Sequence, residues 1–230
     1  MSAYFITSCG TDIGKTFIMT ALCWHLSKSY KVVHAIKPVI SGWSDANILD
    51  NDTGKILCSL SMDCHDSNIT KVSPWRLYYP HAPNIAAKLE NTKLDYNKIV
   101  TFCSQCISQA HDYLLIEGVG GVMSPITDDK TCLDIIRDLN INVILVIGSY
   151  LGSISHTLTA LKVLSGMSVK VVLTLKDNNV VNVDDIVKFI YEYTGKTVYI
   201  QRYVTGSFDL WKGTSDNIVN FISADNYDKS

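Results

Sequence analysis

Gly14-Lys15-Thr16 closes a short polar stretch that follows the apolar run Tyr4-Phe5-Ile6-Thr7, and a segment with helical spacing begins there. A strand, a tight turn and a helix start in that order can cradle a nucleotide triphosphate. Backbone N–H groups of Asp12, Ile13, Gly14, Lys15, Thr16 and Phe17 would face the phosphates. The Lys15 ammonium would reach the β and γ oxygens, and the Thr16 hydroxyl could ligate Mg²⁺. The strict spacing of such a loop asks for glycine where this chain has Cys9.

Three further stretches carry groups suited to the same chemistry. Lys37-Pro38-Val39-Ile40-Ser41-Gly42 follows an apolar run, and a second cation beside a triphosphate would stabilise charge during phosphoryl transfer. Glu117-Gly118-Val119-Gly120-Gly121 follows Tyr113-Leu114-Leu115-Ile116, placing an acid where nucleotide enzymes hold Mg²⁺. Its glycines, Gly118 and Gly120 among them, let backbone approach a ligand closely. Asp52 opens a helical pattern, as a second Mg²⁺ carboxylate or simply as a helix cap. Gly148-Ser149-Tyr150-Leu151-Gly152-Ser153-Ile154-Ser155-His156 opens another helix with a polar N-terminus suited to a carboxylate or phosphate. His156 reads as a structural helix residue, and no Ser-His-Asp or metalloprotease spacing occurs.

The elements that must position these groups alternate between β-branched runs and helical patterns. Strands are predicted at Tyr4–Thr7, Val32–Ile36, Tyr113–Ile116, Asn142–Ile147, Val169–Leu175 and Thr197–Ile200. Helices are predicted at Lys15–Ser27, Asp52–Leu60, Ile85–Leu89, Tyr96–Ala110, Leu133–Leu139, Ile154–Leu164 and Val183–Tyr193. This is the pattern of an α/β protein with a mostly parallel central sheet flanked by crossover helices. The segment Val72–Pro83 holds three of the five prolines and reads as a long loop, functional or merely a surface crossover.

The bulk properties agree with one such domain over residues 1–222, followed by a polar tail at 223–230 that is expected to fray. A net charge of −2 without charge blocks points to no nucleic-acid or anionic-membrane partner. No apolar run approaches the ~18 residues of a membrane span, and no secretory leader is visible. The odd count of seven cysteines suits the reduced thiols of a cytoplasmic protein. Cys103 and Cys106 form a C-x-x-C inside a predicted helix with no second pair beside it.

Taken together, Thr11-Asp12-Ile13-Gly14-Lys15-Thr16, Lys37-Pro38-Val39-Ile40-Ser41-Gly42 and Glu117-Gly118-Val119-Gly120-Gly121 resemble dethiobiotin synthase. Ala82-Pro83-Asn84-Ile85-Ala86-Ala87 and Leu151-Gly152-Ser153-Ile154-Ser155-His156-Thr157 extend the resemblance, which covers Phe5 to about Asp177. It implies a ligase of biotin biosynthesis with a three-layer, P-loop NTPase-like fold, a homodimer with active sites at the subunit interface. Its substrates would be 7,8-diaminononanoate, CO₂ and Mg-ATP, and its products dethiobiotin, ADP and phosphate. One amine would capture CO₂ as a carbamate, ATP would convert that to a carbamic-phosphoric anhydride, and the second amine would close the ring.

The resemblance also assigns roles. Lys37, Lys15 and Thr11 would be catalytic, and Thr16, Asp52 and Glu117 would hold Mg²⁺. Asp12, Ile13, Gly14, Lys15, Thr16, Phe17, Glu117, Gly118 and Gly120 would bind the nucleotide. Ser41, Gly120, Leu151, Gly152, Ser153 and Ser155 would bind the diamine, the Leu151–Ser155 loop receiving its carboxylate from the neighbouring subunit. The family's phosphate loop begins with glycine where this chain has Ser8, so a positive φ there would force the loop to adjust. The family reads adenine with Asn at or beside the position of Lys176 here, so either base selectivity would be weaker or Asp177 or Asn178 would take the role.

A different class shares the fold: the MinD/ParA-like switch ATPases, which are not biosynthetic enzymes. They carry a signature lysine near the start of the loop, where this chain has Ser8, Cys9 and Gly10. A cobyrinate amidase-type synthetase would need a glutaminase domain, and a small-molecule kinase would show no dependence on CO₂.

Overall fold

The computed structural model describes residues 1–175, 181–202 and 210–224. The Lys176–Asn178 stretch expected to read the base lies outside them. In chain order the elements are β1 (Ser2–Ser8), α1 (Lys15–Lys28), β2 (Val33–Ile36), β3 (Val39–Ser41), α2 (Asp52–Ser59) and α3 (Asp66–Val72). Then come β4 (Trp75–Leu77), α4 (Pro83–Leu89), α5 (Tyr96–Gln109), β5 (Tyr113–Glu117), α6 (Cys132–Leu139) and β6 (Asn142–Gly148). The last are α7 (Ser153–Val163), β7 (Val169–Leu175), α8 (Val183–Thr194), β8 (Val198–Arg202) and α9 (Asn217–Ser223).

The main sheet has the order β2-β5-β1-β6-β7-β8, and every pairing in it is parallel. Its central strands are buried on both faces, which is why they read as unbroken runs such as Val-Ile-Leu-Val-Ile. Two apolar layers result. One, with Phe5, Ile116 and Leu145, packs under α5, α6 and α7. The other, with Ile6, Leu115 and Ile144, packs under α1 and α2. Chain connections leave β1 toward β2 on one side and reach β6 on the other. The crevice at this change of direction lies beyond the carboxyl end of β1, where open α/β sheets bind ligands.

The expected strands and helices are present, with shifts of a few residues at their ends. The exception is the Val72–Pro83 segment, read as a loop. Its central residues form β4, which pairs in parallel with β3 in a separate two-stranded sheet. Pro74 and Pro80 flank β4 rather than interrupt it, so no ladder donor is lost. Trp43 N donates to Leu77 O at 2.9 Å and Trp75 N to Pro38 O at 3.1 Å, fixing this sheet over the end of β2. The pattern also gave no sign of α3 or α9. The buried Ile218 and Ile222 of α9 complete the layer under α1, and the Tyr4 hydroxyl donates to Ile222 O at 3.0 Å.

Helix α2 is held by its first turn. Asn51, not Asp52, is the cap, its side chain accepting from Gly54 N at 2.9 Å. A methyl group on Gly54 would lie 2.0 Å from the backbone oxygen of Ile48. Gly54→Ala should therefore lower stability by about 1–3 kcal/mol through overpacking, read as a lower urea midpoint; an unchanged midpoint would contradict this packing.

Candidate active site

Strand register assembles the charged centre of the crevice. Ile36 of β2 and Ile116 of β5 are paired, so the next residues, Lys37 and Glu117, leave the sheet side by side. The Lys37 Nζ donates to Glu117 Oε1 at 2.6 Å and reaches Asp52 Oδ2 at 2.6 Å. From the neighbouring strand's loop, the Thr16 hydroxyl donates to the same Glu117 Oε1 at 2.8 Å. Lys37 and Glu117 are almost fully buried, while the Asp52 side chain is 34% exposed at the mouth.

The electrostatics follow from that burial. Burial works against an ionised Asp52, but the adjacent Lys37 ammonium outweighs it and holds the carboxyl down at about 2. Burial likewise opposes the Lys37 charge, and Glu117 and Asp52 together override it and raise its pKa. Burial pushes the Glu117 carboxyl up, with Lys37 opposing. Glu117 Oε2 is buried and has no hydrogen-bond partner in the protein. An unsatisfied carboxylate oxygen beside a second carboxylate and a threonine hydroxyl is an all-oxygen donor set, and it fits Mg²⁺.

The phosphate loop is built by close packing. Gly14 has φ +107° and caps α1, where a methyl group would meet the Thr174 Cγ2 at 2.8 Å. The Thr174 hydroxyl donates to Ile13 O at 2.5 Å, tying the loop to β7. No acid stands in the first turn of α1, whose residues Lys15, Thr16 and Phe17 border the cleft, so no carboxylate of that turn offsets the favourable field for an anion there. Lys15 is buried, and its burial and then the nearby Lys37 charge lower its pKa.

At Ser8 the condition for a loop adjustment, a positive φ, does not arise. Ser8 ends β1, and within the loop the positive φ values fall on Asp12 (57°) and Gly14 (107°).

The cleft that these groups line encloses about 660 Å³. Thr11, Asp12, Gly14, Lys15, Thr16, Phe17, Lys37, Ser41, Asp52, Glu117 and Gly120 all border it. The Ser41 hydroxyl is buried there without a partner. Cys9 stands beside the loop, but burial pushes its thiol up to about 11 despite the Thr157 hydroxyl, so it is no thiolate at neutral pH.

Sequence comparison then separates the candidate classes. The AAA domain family model matches residues 2–198. An ATP-dependent dethiobiotin synthetase BioD of Phenylobacterium zucineum (strain HLK1) is 41% identical over 172 residues, 74% of each chain. That of Caulobacter vibrioides (strain NA1000 / CB15N) is 35% identical over 212 residues, 91% of this chain and 95% of its own. The chain belongs to the dethiobiotin synthetase family.

Among solved structures, the MinC:MinD cell division protein complex of Aquifex aeolicus matches with a TM-score of 0.52. It is 15% identical, covering 86% of this chain and 79% of that one, and therefore shows the fold alone. In this member of the dethiobiotin synthetase family some expected residues stand apart from the cleft. Ile13 and Gly118 do not border it, Gly118 lying where a side chain would strike the Phe5 ring. Leu151, Gly152, Ser153 and Ser155 are at the start of α7 and do not border the cleft either, with Leu151 93% exposed and Ser153 buried. His156 holds the Tyr150 hydroxyl through Nδ1 at 2.9 Å. Cys103 and Cys106 are free thiols within α5.

Sequence reading gave no individual site role to Pro80, His81, Ala82, Pro83, Val119 and Ser124, which also border the cleft. The proline-rich segment was the available signal, and the β3–β4 sheet is what turns it over the site.

The Asp52 carboxyl is more acidic in the folded chain than its ordinary value of about 3.9. Its contribution to stability is therefore complete above about pH 4 and lost as pH falls through about 2, because the unfolded chain binds the proton first. Asp52→Asn should flatten the acid limb of the stability profile between those limits, measured by urea unfolding. A limb as steep as that of the parent chain would contradict the Lys37–Asp52 pairing.

Proposed function

We propose that this protein is an ATP-dependent dethiobiotin synthase, a ligase forming C–N bonds in biotin biosynthesis. The observation that carries the reading is Lys37 held between Glu117 and Asp52, next to Lys15 and Thr16 of the phosphate loop, in a chain of this family.

No nucleophile of the protein is required. One amine of 7,8-diaminononanoate adds to CO₂ and loses a proton, giving a carbamate. A carbamate oxygen attacks the γ-phosphorus of ATP and ADP departs. The second amine attacks the carbamoyl carbon, loses its proton and expels phosphate as the ring closes. Each step gathers negative charge in one place, so the work left to the protein is positioning and charge neutralisation.

Lys15 and the N–H groups of the loop and α1, with Asp12, Ile13, Gly14, Thr16 and Phe17, would bind the triphosphate. Lys37 would stabilise the carbamate and the transferring phosphoryl group. Thr11, the unpartnered Ser41 hydroxyl and Gly120 would hold the diamine and carbamate. Thr16, Asp52 and Glu117 would hold Mg²⁺, which when bound neutralises charge on the phosphates.

The start of α7, where Leu151, Gly152 and Ser155 are exposed and Ser153 is buried, would receive the substrate carboxylate across a homodimer interface. Its absence from the lining of its own cleft supports a role toward a second copy. Residues 1–222 would form the single synthase domain, with 223–230 its tail. The seven free cysteines support a cytoplasmic setting. Among the described residues no helix is long and apolar enough to cross a membrane.

Phosphate release from Mg-ATP should require diaminononanoate and bicarbonate together, with dethiobiotin identified by mass spectrometry. Hydrolysis indifferent to both would overturn the reading in favour of a switch ATPase. Lys37→Gln should retain Mg-ATP binding and lower kcat by about 10²–10³-fold, since the lost charge acts mainly on the transition state. Near-normal turnover would remove Lys37 from its role.

A further inference from the structure

Ser8 is fully buried at the end of β1, and its hydrogen-bond partners include Gly10 and Lys15 of the phosphate loop and Gly120 and Val122 beyond Glu117. The Lys15 Nζ donates to Ser8 Oγ at 3.2 Å and to Gly10 O at 3.2 Å. The Ser8 hydroxyl has one proton, shared between Gly10 O at 2.5 Å and Gly120 O at 3.1 Å. Gly10 N donates to Ser8 Oγ at 3.4 Å, and Ser8 O accepts from Val122 N at 2.9 Å.

An ammonium group has three N–H donors and no acceptor. Two of those of Lys15 are committed to Ser8 and Gly10, which leaves one for an anion in the cleft that Lys15 borders. Because the Ser8 proton points at a carbonyl, an oxygen lone pair is left facing Lys15. A glycine or alanine at this position would keep the loop's backbone but leave the ammonium anchored at one point only.

We propose that Ser8 is a positioning residue: its hydroxyl anchors the Lys15 ammonium against the phosphate loop and aims the remaining N–H at the phosphates. The same hydroxyl links that anchor to Gly120, so the loop carrying Glu117 and the loop carrying Lys15 share one hinge point. The proposal rests on the reading of this cleft as a nucleotide site and adds a residue to it.

The test is a double-mutant cycle on ADP affinity, measured by calorimetry on the full chain in EDTA, so that no metal contributes. Ser8→Ala should weaken ADP binding by about three- to tenfold in the parent chain and by less than about 1.5-fold in a Lys15→Met background. Lys15→Gln serves as a second background should the methionine variant not fold. In steady state Ser8→Ala should lower kcat by about tenfold and leave the KM for diaminononanoate within about twofold. ADP binding indifferent to position 8, or an equal loss in both backgrounds, would overturn the proposal and reduce Ser8 to a packing residue. A parent chain that binds no ADP would overturn the nucleotide-site reading and this proposal with it.

Discussion

A buried carboxylate is the constraint on which this crevice depends. Glu117 ends a central strand with 1% of its side chain exposed, in a place where an ionised acid alone would be strongly unfavourable. The fold answers with partners from three elements: Lys37 from β2, Thr16 from α1 and, through Lys37, Asp52 from α2. Removing one partner of such a cluster strands the others, so the cluster ties the ends of β2 and β5 to the phosphate loop as one unit. One oxygen of Glu117 stays unsatisfied. The cluster is thus stable enough to exist and incomplete enough to bind something more.

The neighbouring loop solves a different problem, the presentation of backbone N–H groups to an anion without side chains in the way. Gly14 supplies the left-handed turn, and the Thr174 hydroxyl holds the preceding carbonyl from a strand on the other side of β1. Loop and cluster are fixed to neighbouring strands of one parallel sheet, so their separation is set by strand spacing and register rather than by flexible chain. That rigidity suits a reaction in which the substrates bring both nucleophiles and the protein contributes orientation and charge.

The strong local signals of the sequence were accurate because they come from local physics. Alternating β-branched runs and helical spacings located the strands of the main sheet and most helices. Gly14-Lys15-Thr16 marked the loop, and an acid or a lysine directly after an apolar run marked the strand ends that face the crevice. What stayed illegible depended on pairing. Three-residue strands such as β3 and β4 have no periodicity to detect, and Val39 and Trp75 become strand residues only because each finds the other. Asp52 could be read as a cap or as a ligand; its neighbour Asn51 takes the cap, and the register of β2 brings Lys37 to it.

Composition, hydrophobic periodicity and three short motifs therefore determined the fold class, the loop and the list of charged residues able to act on a phosphate. Tertiary structure alone decided which of those residues meet. Contact between Lys37 and Glu117, 80 positions apart, is created by strand register. The wall from Pro80 to Pro83 is placed by the small second sheet, and the Ser8 anchor for Lys15 exists only once β1 is buried. The physical reason is the same in each case: these are contacts between segments distant in the chain, and their energy is realised only when the sheet closes.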